Sequence, residues 1–218
     1  MAPTLVLDLD GTLVDSVPDI RAALNRVMDA RGLPPFEAPA VAAMVGDGVR
    51  VLVERAFAAR NLPAPEADIA AFTADYSANA TVESRLFPGV PETLEALRGA
   101  GWKLAVCTNK PAGATRALLE TFGIAPLFDA VGAGDSFPTR KPDPAHLRAT
   151  LAAAGGDPAR AVMAGDHHND VAAATGAGVP CIFAAWGYGQ KGMEAGAAAI
   201  AATFSDLPAI ATRLLPAG

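Results

Sequence analysis

Cysteine is nearly absent from this chain of 218 residues: Cys107 and Cys181 stand far apart, each inside an apolar run. That excludes a disulfide framework and fits buried free thiols in a reducing, cytoplasmic setting. There is no long basic run, and the formal net charge is −6. Nucleic acid and anionic membrane surfaces are therefore not expected as partners. No stretch is apolar and long enough to span a bilayer. The first residues already read as a strand, so no signal peptide is expected. No internal repeat is visible, and the Ala/Gly-rich tract from Glu194 to Ala202 is biased but too short to be a disordered linker.

What the chain has is apolar bulk, 51% of residues and much of it alanine, enough for a sizeable core in one domain or a domain with an insertion. It also has two aspartates in an informative place, Leu5-Val6-Leu7-Asp8-Leu9-Asp10-Gly11-Thr12-Leu13. The apolar run reads as a buried strand, and side chains two apart on a strand share a face. Gly11 lets the backbone turn just beyond. Two carboxylates held this close need a cation or a shared proton, and Mg²⁺ suits oxygen ligands. Taken alone, the segment also reads as a strand ending in an ordinary Asp-Gly turn.

Further along, strand-like runs at Thr4–Leu9, Lys103–Thr108, Ala130–Gly132, Ala161–Gly165 and Pro180–Ala184 alternate with helical patterns. The helical patterns are Val90–Arg98, Ala112–Thr121, Pro144–Ala154 and Asn169–Thr175. This alternation predicts an α/β fold, a Rossmann-like parallel sheet with helices on both faces. Pro91 and Pro144 mark helix starts; Gly99, Gly123, Gly155 and Gly176 mark helix ends. From Ser16 to Arg85 no convincing strand appears. Helical spacing recurs there at Asp19–Arg31, Val49–Ala59 and Ile69–Asn79. The expected organisation is a core of residues 1–15 and 86–218 with a small α-helical domain, residues 16–85, inserted after the first strand. Extra helical cover packed directly on the sheet is the alternative.

Ligands of open parallel sheets bind at the C-terminal strand ends. There the sequence gathers Asp8 and Asp10, then Thr108-Asn109-Lys110, then Gly165-Asp166-His167-His168-Asn169-Asp170, with Lys141-Pro142-Asp143-Pro144 between. Singly, Thr108 reads as a helix cap, Lys141 as a solvated charge, and Asp166 and Asp170 as turn and capping residues. Together at one end of one sheet they read as a site.

In that order the four motifs resemble those of the haloacid-dehalogenase-like phosphohydrolases, and the inserted helices fall where that family carries a cap. The resemblance implies that Asp8 is the nucleophile and becomes an aspartyl phosphate, and that Asp10 is the general acid and base. It further implies that Mg²⁺ is held by the Asp8 side chain, the Asp10 carbonyl and Asp166, with Asp170 binding through water or orienting that shell. Thr108 and Lys141 would hold phosphoryl oxygens, with Asn109 assisting near Asp8. The segment Val45-Gly46-Asp47-Gly48-Val49-Arg50-Val51-Leu52-Val53-Glu54-Arg55-Ala56, the run Thr108-Asn109-Lys110-Pro111 and the loop Trp186-Gly187-Tyr188-Gly189 are similar to those of bacterial phosphoglycolate phosphatases. That likeness implies a small phosphorylated metabolite, with Gly46 and Arg50 in the substrate site. Arg50 is the first candidate for the substrate's carboxylate and Arg55 the second, although Arg55 reads more readily as part of a solvated helix face.

One departure is His167, where the family has a small polar residue after its aspartate. A bulky imidazole there would reshape the metal shell or the pocket. A histidine-ligated zinc site is disfavoured, because the third histidine, His146, lies elsewhere in the chain. Within the family, a phosphatase for a sugar phosphate or nucleotide, or a sugar phosphomutase of the β-phosphoglucomutase type, stays open. A phospho-aspartate receiver module is disfavoured by Asp10 and by the insertion, and a haloacid dehalogenase by chemistry that needs neither Asp10 nor Mg²⁺. The expected assembly is a monomer or homodimer.

Overall fold

The structure, a computed structural model, describes residues 2–215. β1 (Thr4–Leu7) leads through a tight loop to β2 (Val14–Asp15). The helices α1 (Val17–Ala30), α2 (Ala38–Ala42), α3 (Val49–Ala58) and α4 (Glu66–Asn79) follow. After β3 (Arg85–Leu86) come α5 (Val90–Gly99), β4 (Lys103–Cys107), α6 (Ala112–Thr121), β5 (Ala130–Gly132) and α7 (Pro144–Ala153). The chain closes with β6 (Ala161–Gly165), α8 (His168–Ala177), β7 (Cys181–Ala184), β8 (Ala199–Ala201) and α9 (Leu207–Leu214).

Six strands form one sheet in the order β5-β4-β1-β6-β7-β8, and every pair in it is parallel. Successive strand residues point to opposite faces. Leu5, Leu7, Leu104, Val106, Val162 and Ile182 therefore pack with Leu94 and Leu97 of α5, Leu118 of α6 and Ile210 of α9. Val6, Ala105, Cys107, Met163 and Phe183 pack on the other face with Leu147 and Leu151 of α7 and Val171 of α8. Both faces are covered, which is why the strands are apolar throughout rather than alternating. Each fully buried large side chain contributes about 1.5–3 kcal/mol relative to exposure. Cys107 and Cys181 are buried free thiols within these layers.

From β1 the chain crosses to β4 on one side and later to β6 on the other, so the strand order reverses beside β1. That switch point opens a crevice beyond the strand ends, where a sheet of this kind takes its ligand.

The helices of residues 17–79 pack around an apolar cluster of their own, including Leu24, Met28, Leu52, Val53, Phe57 and Phe72. Ala114 of α6 and the partly buried Tyr188 join it, so this insertion rests on the core directly. At its neck β2 and β3 pair antiparallel, Val14 with Leu86 and Asp15 with Arg85. Two-residue strands and the single-turn α2 lack the length to show a period, and sequence reading found neither. β8 lies inside the biased Ala/Gly tract, where small residues mask strand propensity. α9 also went unpredicted. Gly176 falls near the end of α8, as expected, but within its last turn, and a Cβ there would meet Cγ of Pro144 at 2.9 Å. It is small because α7 and α8 pack closely, and Gly178, with φ +75°, provides the actual left-handed stop.

A buried carboxylate ties the insertion's two ends together. Asp19, in the first turn of α1, accepts from the backbone N–H groups of Glu83 and Ser84, both at 2.9 Å, and from the Ser84 hydroxyl at 2.7 Å. Asp19 and Ser84 are both buried. Asp19→Ala leaves the buried Ser84 N–H without its acceptor, while the Ser84 hydroxyl keeps Ala80 O at 3.0 Å, and we expect a loss of about 1–3 kcal/mol. Urea unfolding should show a lower midpoint with an unchanged slope. An unchanged midpoint would mean that water replaces the carboxylate freely.

Candidate active site

The crevice beside β1 collects carboxylates from the loop after β1, the end of β6 and the first turn of α8. Asp8 follows β1, and its N–H donates to Ala164 O at 3.0 Å, continuing the ladder one residue past the strand. The strand itself ends at Leu7, so the shared-face argument for Asp8 and Asp10 does not apply as expected. A tight loop delivers Asp10 instead, with Leu9 O accepting from Leu13 and Val14 N–H at 2.9 Å. Asp166 follows β6, and Asp170 lies in the first turn of α8.

Asp8, Asp166 and Asp170 are all buried, and each offers an oxygen within 4.8 Å of the others. Lys141 Nζ stands between two of them, 2.9 Å from Asp8 Oδ1 and 2.6 Å from Asp170 Oδ1. The backbone fixes the rest. Asp166 Oδ2 accepts from Tyr188 N–H at 2.7 Å and its Oδ1 from Thr12 Oγ1 at 3.2 Å. Asp170 Oδ2 accepts from His167 N–H at 2.9 Å. Gly11, at φ +82°, abuts Asp166 so closely that any Cβ would collide with its carboxylate.

Three carboxylates against one lysine leave an excess of negative charge in a dry site. Burial, with Asp170 and Asp10 adding and Lys141 opposing, pushes the Asp8 carboxyl up to about 6. Burial and then the charges of Asp8 and Asp170 push Asp166 well above the usual carboxylate range. Burial alone would lower Lys141, but Asp170 and Asp8 more than offset it and hold it above the ordinary lysine value. Asp8 Oδ1 is buried and meets the Lys141 ammonium at 2.9 Å as an ion pair, with no further donor on it. An all-oxygen donor set with spare acceptor capacity and surplus negative charge fits a hard divalent cation.

Asp10 stands apart from that cluster. Its carboxylate accepts from Ser16 Oγ at 2.5 Å and from Lys110 Nζ at 2.8 and 3.1 Å. Lys110 also donates to the Tyr76 hydroxyl at 2.5 Å, from α4 in the insertion. Burial opposes the Lys110 charge, yet Asp10 and Tyr76 raise it above the usual lysine range. Tyr188 seals the neck: its hydroxyl donates to Asp15 Oδ1 at 2.7 Å and accepts from the N–H groups of Ser16 and Val17.

Above these groups lies a pocket of about 600 Å³ including its open mouth. Asp8, Asp10, Thr108, Asn109, Lys110 and Asp166 form its floor. Ile20, Val45, Val49, Leu52 and Phe72 form an apolar roof, and Gly46, Tyr76, His167 and Tyr188 line it too. Thr108 is buried at the floor, as its place after β4 requires.

Two of the sequence expectations change here. Asn109 does line the pocket, but its amide nitrogen is committed to Gly46 O at 2.9 Å and Lys141 O at 2.8 Å. It braces the Lys141 loop and the insertion rather than reaching toward Asp8. Arg50 is not brought to the pocket. Its guanidinium is half exposed and paired with Glu66 at 2.5 and 2.8 Å, with Glu54 at 3.8 Å one turn along α3. Arg55 pairs with Asp47 at 2.5 Å and donates to Met44 O at 3.1 Å, so it supports the Gly46 loop from outside. The pocket's cation is Lys110, which the sequence displayed in Thr108-Asn109-Lys110 without marking it as buried.

Gly46 explains the departure at His167. At φ +122°, a Cβ on Gly46 would fall 2.7 Å from His167 Nε2. The imidazole thus occupies the space the glycine leaves, between insertion and core. Burial, then the neighbouring His168, pushes it down to about 4, so it is neutral. Its Nδ1 accepts from Asn169 N–H at 3.3 Å, capping α8. His167 lines the pocket without entering the three-carboxylate cluster.

The haloacid dehalogenase-like hydrolase family pattern matches residues 2–178, and the chain belongs to that family. Among curated relatives, the phosphoglycolate phosphatase of Caulobacter vibrioides is 44% identical over 97% of this chain and 92% of its own length. A predicted phosphoglycolate phosphatase from Haemophilus somnus superposes with a TM-score of 0.88 at 33% identity, covering 96% of this chain and 97% of that one. CbbY from Rhodobacter sphaeroides, solved with phosphate, superposes at 0.79 with 31% identity, over 95% of this chain and 96% of its own. No described helix is long and apolar enough to cross a membrane.

The raised Asp8 pKa gives a pH test. The folded state holds this proton more tightly than the unfolded chain, whose value is 3.8, so metal-free stability should fall as pH rises from there through about 6. A cation that replaces the proton should reverse that loss. Thermal unfolding should therefore show a Mg²⁺-induced rise in Tm that is small at about pH 5 and larger at about pH 7.5. A Mg²⁺ effect independent of pH would mean that the ion binds away from Asp8.

Proposed function

We propose that this phosphoric monoester hydrolase acts on 2-phosphoglycolate, with Mg²⁺ as cofactor and an aspartyl phosphate as intermediate. The observation that carries the chemistry is the buried Asp8–Asp166–Asp170 cluster at the pocket floor, three carboxylates facing the single ammonium of Lys141. Asp8, Asp166 and the Asp10 carbonyl would hold the ion, with Asp170 orienting the shell. Bound there, Mg²⁺ supplies charge neutralisation for the phosphoryl oxygens.

An Asp8 oxygen attacks phosphorus in line as the bond to the leaving alkoxide breaks. Asp10 gives that oxygen a proton. Asp10 then takes a proton from water, which attacks the acyl phosphate, frees inorganic phosphate and regenerates Asp8. Lys141 and the Thr108 hydroxyl hold phosphoryl oxygens. The apolar roof excludes bulk water, so these charges act at full strength.

The same roof supports a small substrate. A sugar chain would set several hydroxyls against Val45, Val49, Leu52 and Phe72 without partners, which is costly. Glycolate presents only two carbons and a carboxylate. Its charge would meet Lys110, the cation of the pocket lining. CbbY has also been solved with xylulose-1,5-bisphosphate, at a TM-score of 0.78 and 31% identity, which supports a sugar bisphosphate as the second reading. A screen of phosphate esters with Mg²⁺, ranked by kcat/KM, separates the two.

Asp8→Asn should abolish turnover while the fold survives; near-normal activity would overturn the mechanism. Asp10→Asn should lower kcat by roughly 10²–10⁴ with little change in Mg²⁺ affinity. Lys110→Met should lower kcat/KM for phosphoglycolate by roughly 10²-fold or more, within the about 2–5 kcal/mol expected for a broken buried charge pair. An aryl phosphate, which has no carboxylate, should lose less, namely only the part of the loss transmitted through Asp10. Arg50→Ala should leave both substrates within about twofold, as for an exposed ion pair. Equal losses on both substrates in Lys110→Met would confine Lys110 to orienting Asp10 and remove the support for a carboxylate substrate.

A further inference from the structure

A second group of metal-ligating side chains lies at the pocket's edge, apart from the three-carboxylate cluster. His167 and His168 stand at the start of α8, with ring centroids 4.1 Å apart and planes tilted by 41°. Asp47, in the loop between α2 and α3 of the insertion, completes the set. One donor atom from each of the three lies within 4.8 Å of the others. The sequence could not assemble this set: its third histidine is distant, and Asp47 is about 120 positions away, linked only through the fold.

We propose that Asp47, His167 and His168 form a binding site for a borderline divalent cation of the Zn²⁺ type, which tethers the helical insertion to the core. Two imidazoles and one carboxylate are the ligand set such ions prefer, whereas Mg²⁺ prefers oxygen alone. The fourth position is left to water. A tetrahedral ion with bonds of about 2.0–2.2 Å needs donor atoms roughly 3.3–3.5 Å apart, within reach of side-chain rotation from the present spacing.

Outer contacts already orient the ligands. Asp47 Oδ1 accepts from Asn169 Nδ2 at 2.7 Å and Oδ2 from Arg55 at 2.5 Å. His167 presents its Nε2 edge to Gly46, the residue before Asp47. Carboxylates and imidazoles held by such partners are pre-aimed for coordination. The cost is local. Coordination through Nε2 moves the imidazole proton to Nδ1 and gives up the long contact from Asn169 N–H. The exposed His168 loses only solvent.

The consequence follows from where the ligands sit. Asp47 belongs to the insertion and both histidines to the core, so the ion adds coordinate bonds across the boundary that a substrate must cross to reach the floor. A bound ion should hold the insertion down and slow turnover without touching Asp8, Asp166 or Asp170. The binding claim stands independently of the substrate proposed above.

The test uses the full chain with Mg²⁺ in large excess, so that the carboxylate cluster is occupied. Zn²⁺ should bind with a stoichiometry of one by titration calorimetry, and Co²⁺ in its place should give the intense visible absorption of a tetrahedral site. His168→Ala should weaken both by tenfold or more while keeping the Mg²⁺-supported activity, because His168 touches neither the pocket floor nor the cluster. Asp47→Asn should weaken binding likewise. Zn²⁺ should slow turnover of the wild type on any accepted ester and spare His168→Ala. Equal Zn²⁺ inhibition of wild type and His168→Ala would assign the ion to the Asp8 cluster and overturn the proposal. So would Co²⁺ absorption that is weak and octahedral, or calorimetry that registers no binding beyond Mg²⁺.

Discussion

Like charge in a dry place is the constraint on which the rest of this structure depends. Asp8 from the end of β1 and Asp166 and Asp170 from the β6–α8 segment are buried together with Lys141 between two of them. Buried carboxylates are costly unless paired, so the surrounding backbone must supply donors at fixed positions. It does: Tyr188 N–H and Thr12 Oγ1 serve Asp166, and His167 N–H serves Asp170. Asp8 Oδ1 has only the Lys141 ammonium for a partner, at 2.9 Å, so this carboxylate is the least satisfied of the three. Stability is given up locally and the reactive arrangement is obtained in return.

The sheet provides the rigidity that such an arrangement requires. β1 is central, bonded on both sides in register with β4 and β6. The positions of Asp8, Thr108 and Asp166 are consequences of three adjacent strand ends. Side chains alternating between two apolar layers hold those strands from both faces. A shift of one residue in any strand would turn its apolar set to the wrong layer, so register is strongly specified.

The helical insertion adds selection to this machinery. It is fastened at its neck by the β2–β3 pair and by the Asp19–Ser84 contacts, and it meets the floor through Tyr76, Gly46 and Asn109. Most of its pocket-facing surface is apolar, so it contributes exclusion of water more than recognition. The charge that can recognise a second anionic group comes from the core, as Lys110, and is presented alongside the insertion's Tyr76.

The fold class was legible in the sequence, because a parallel sheet buried on both faces writes its strands as apolar runs and its helices as amphipathic spacings. Three of the core motifs were legible for the same reason: Asp8, Thr108 and Asp166 each stand at the end of a recognisable strand, and the ends of adjacent strands must converge; the Lys141 motif instead precedes α7. Short elements such as β2, β3 and α2 carry no period to read, and β8 is hidden in alanine. The partners of isolated charges were not legible either. Arg50 looked free to meet an anion, yet Glu66 faces it across a turn of the insertion. Lys110 looked like a loop residue, yet it is buried against Asp10, a hundred positions earlier, and Tyr76. His167 looked like an intruder in a metal shell, and only Gly46 shows that there is room for it elsewhere. A sequence records which groups exist and their local period. Which charge pairs with which depends on distances between segments far apart in the chain, and those are decided only when the insertion packs onto the sheet.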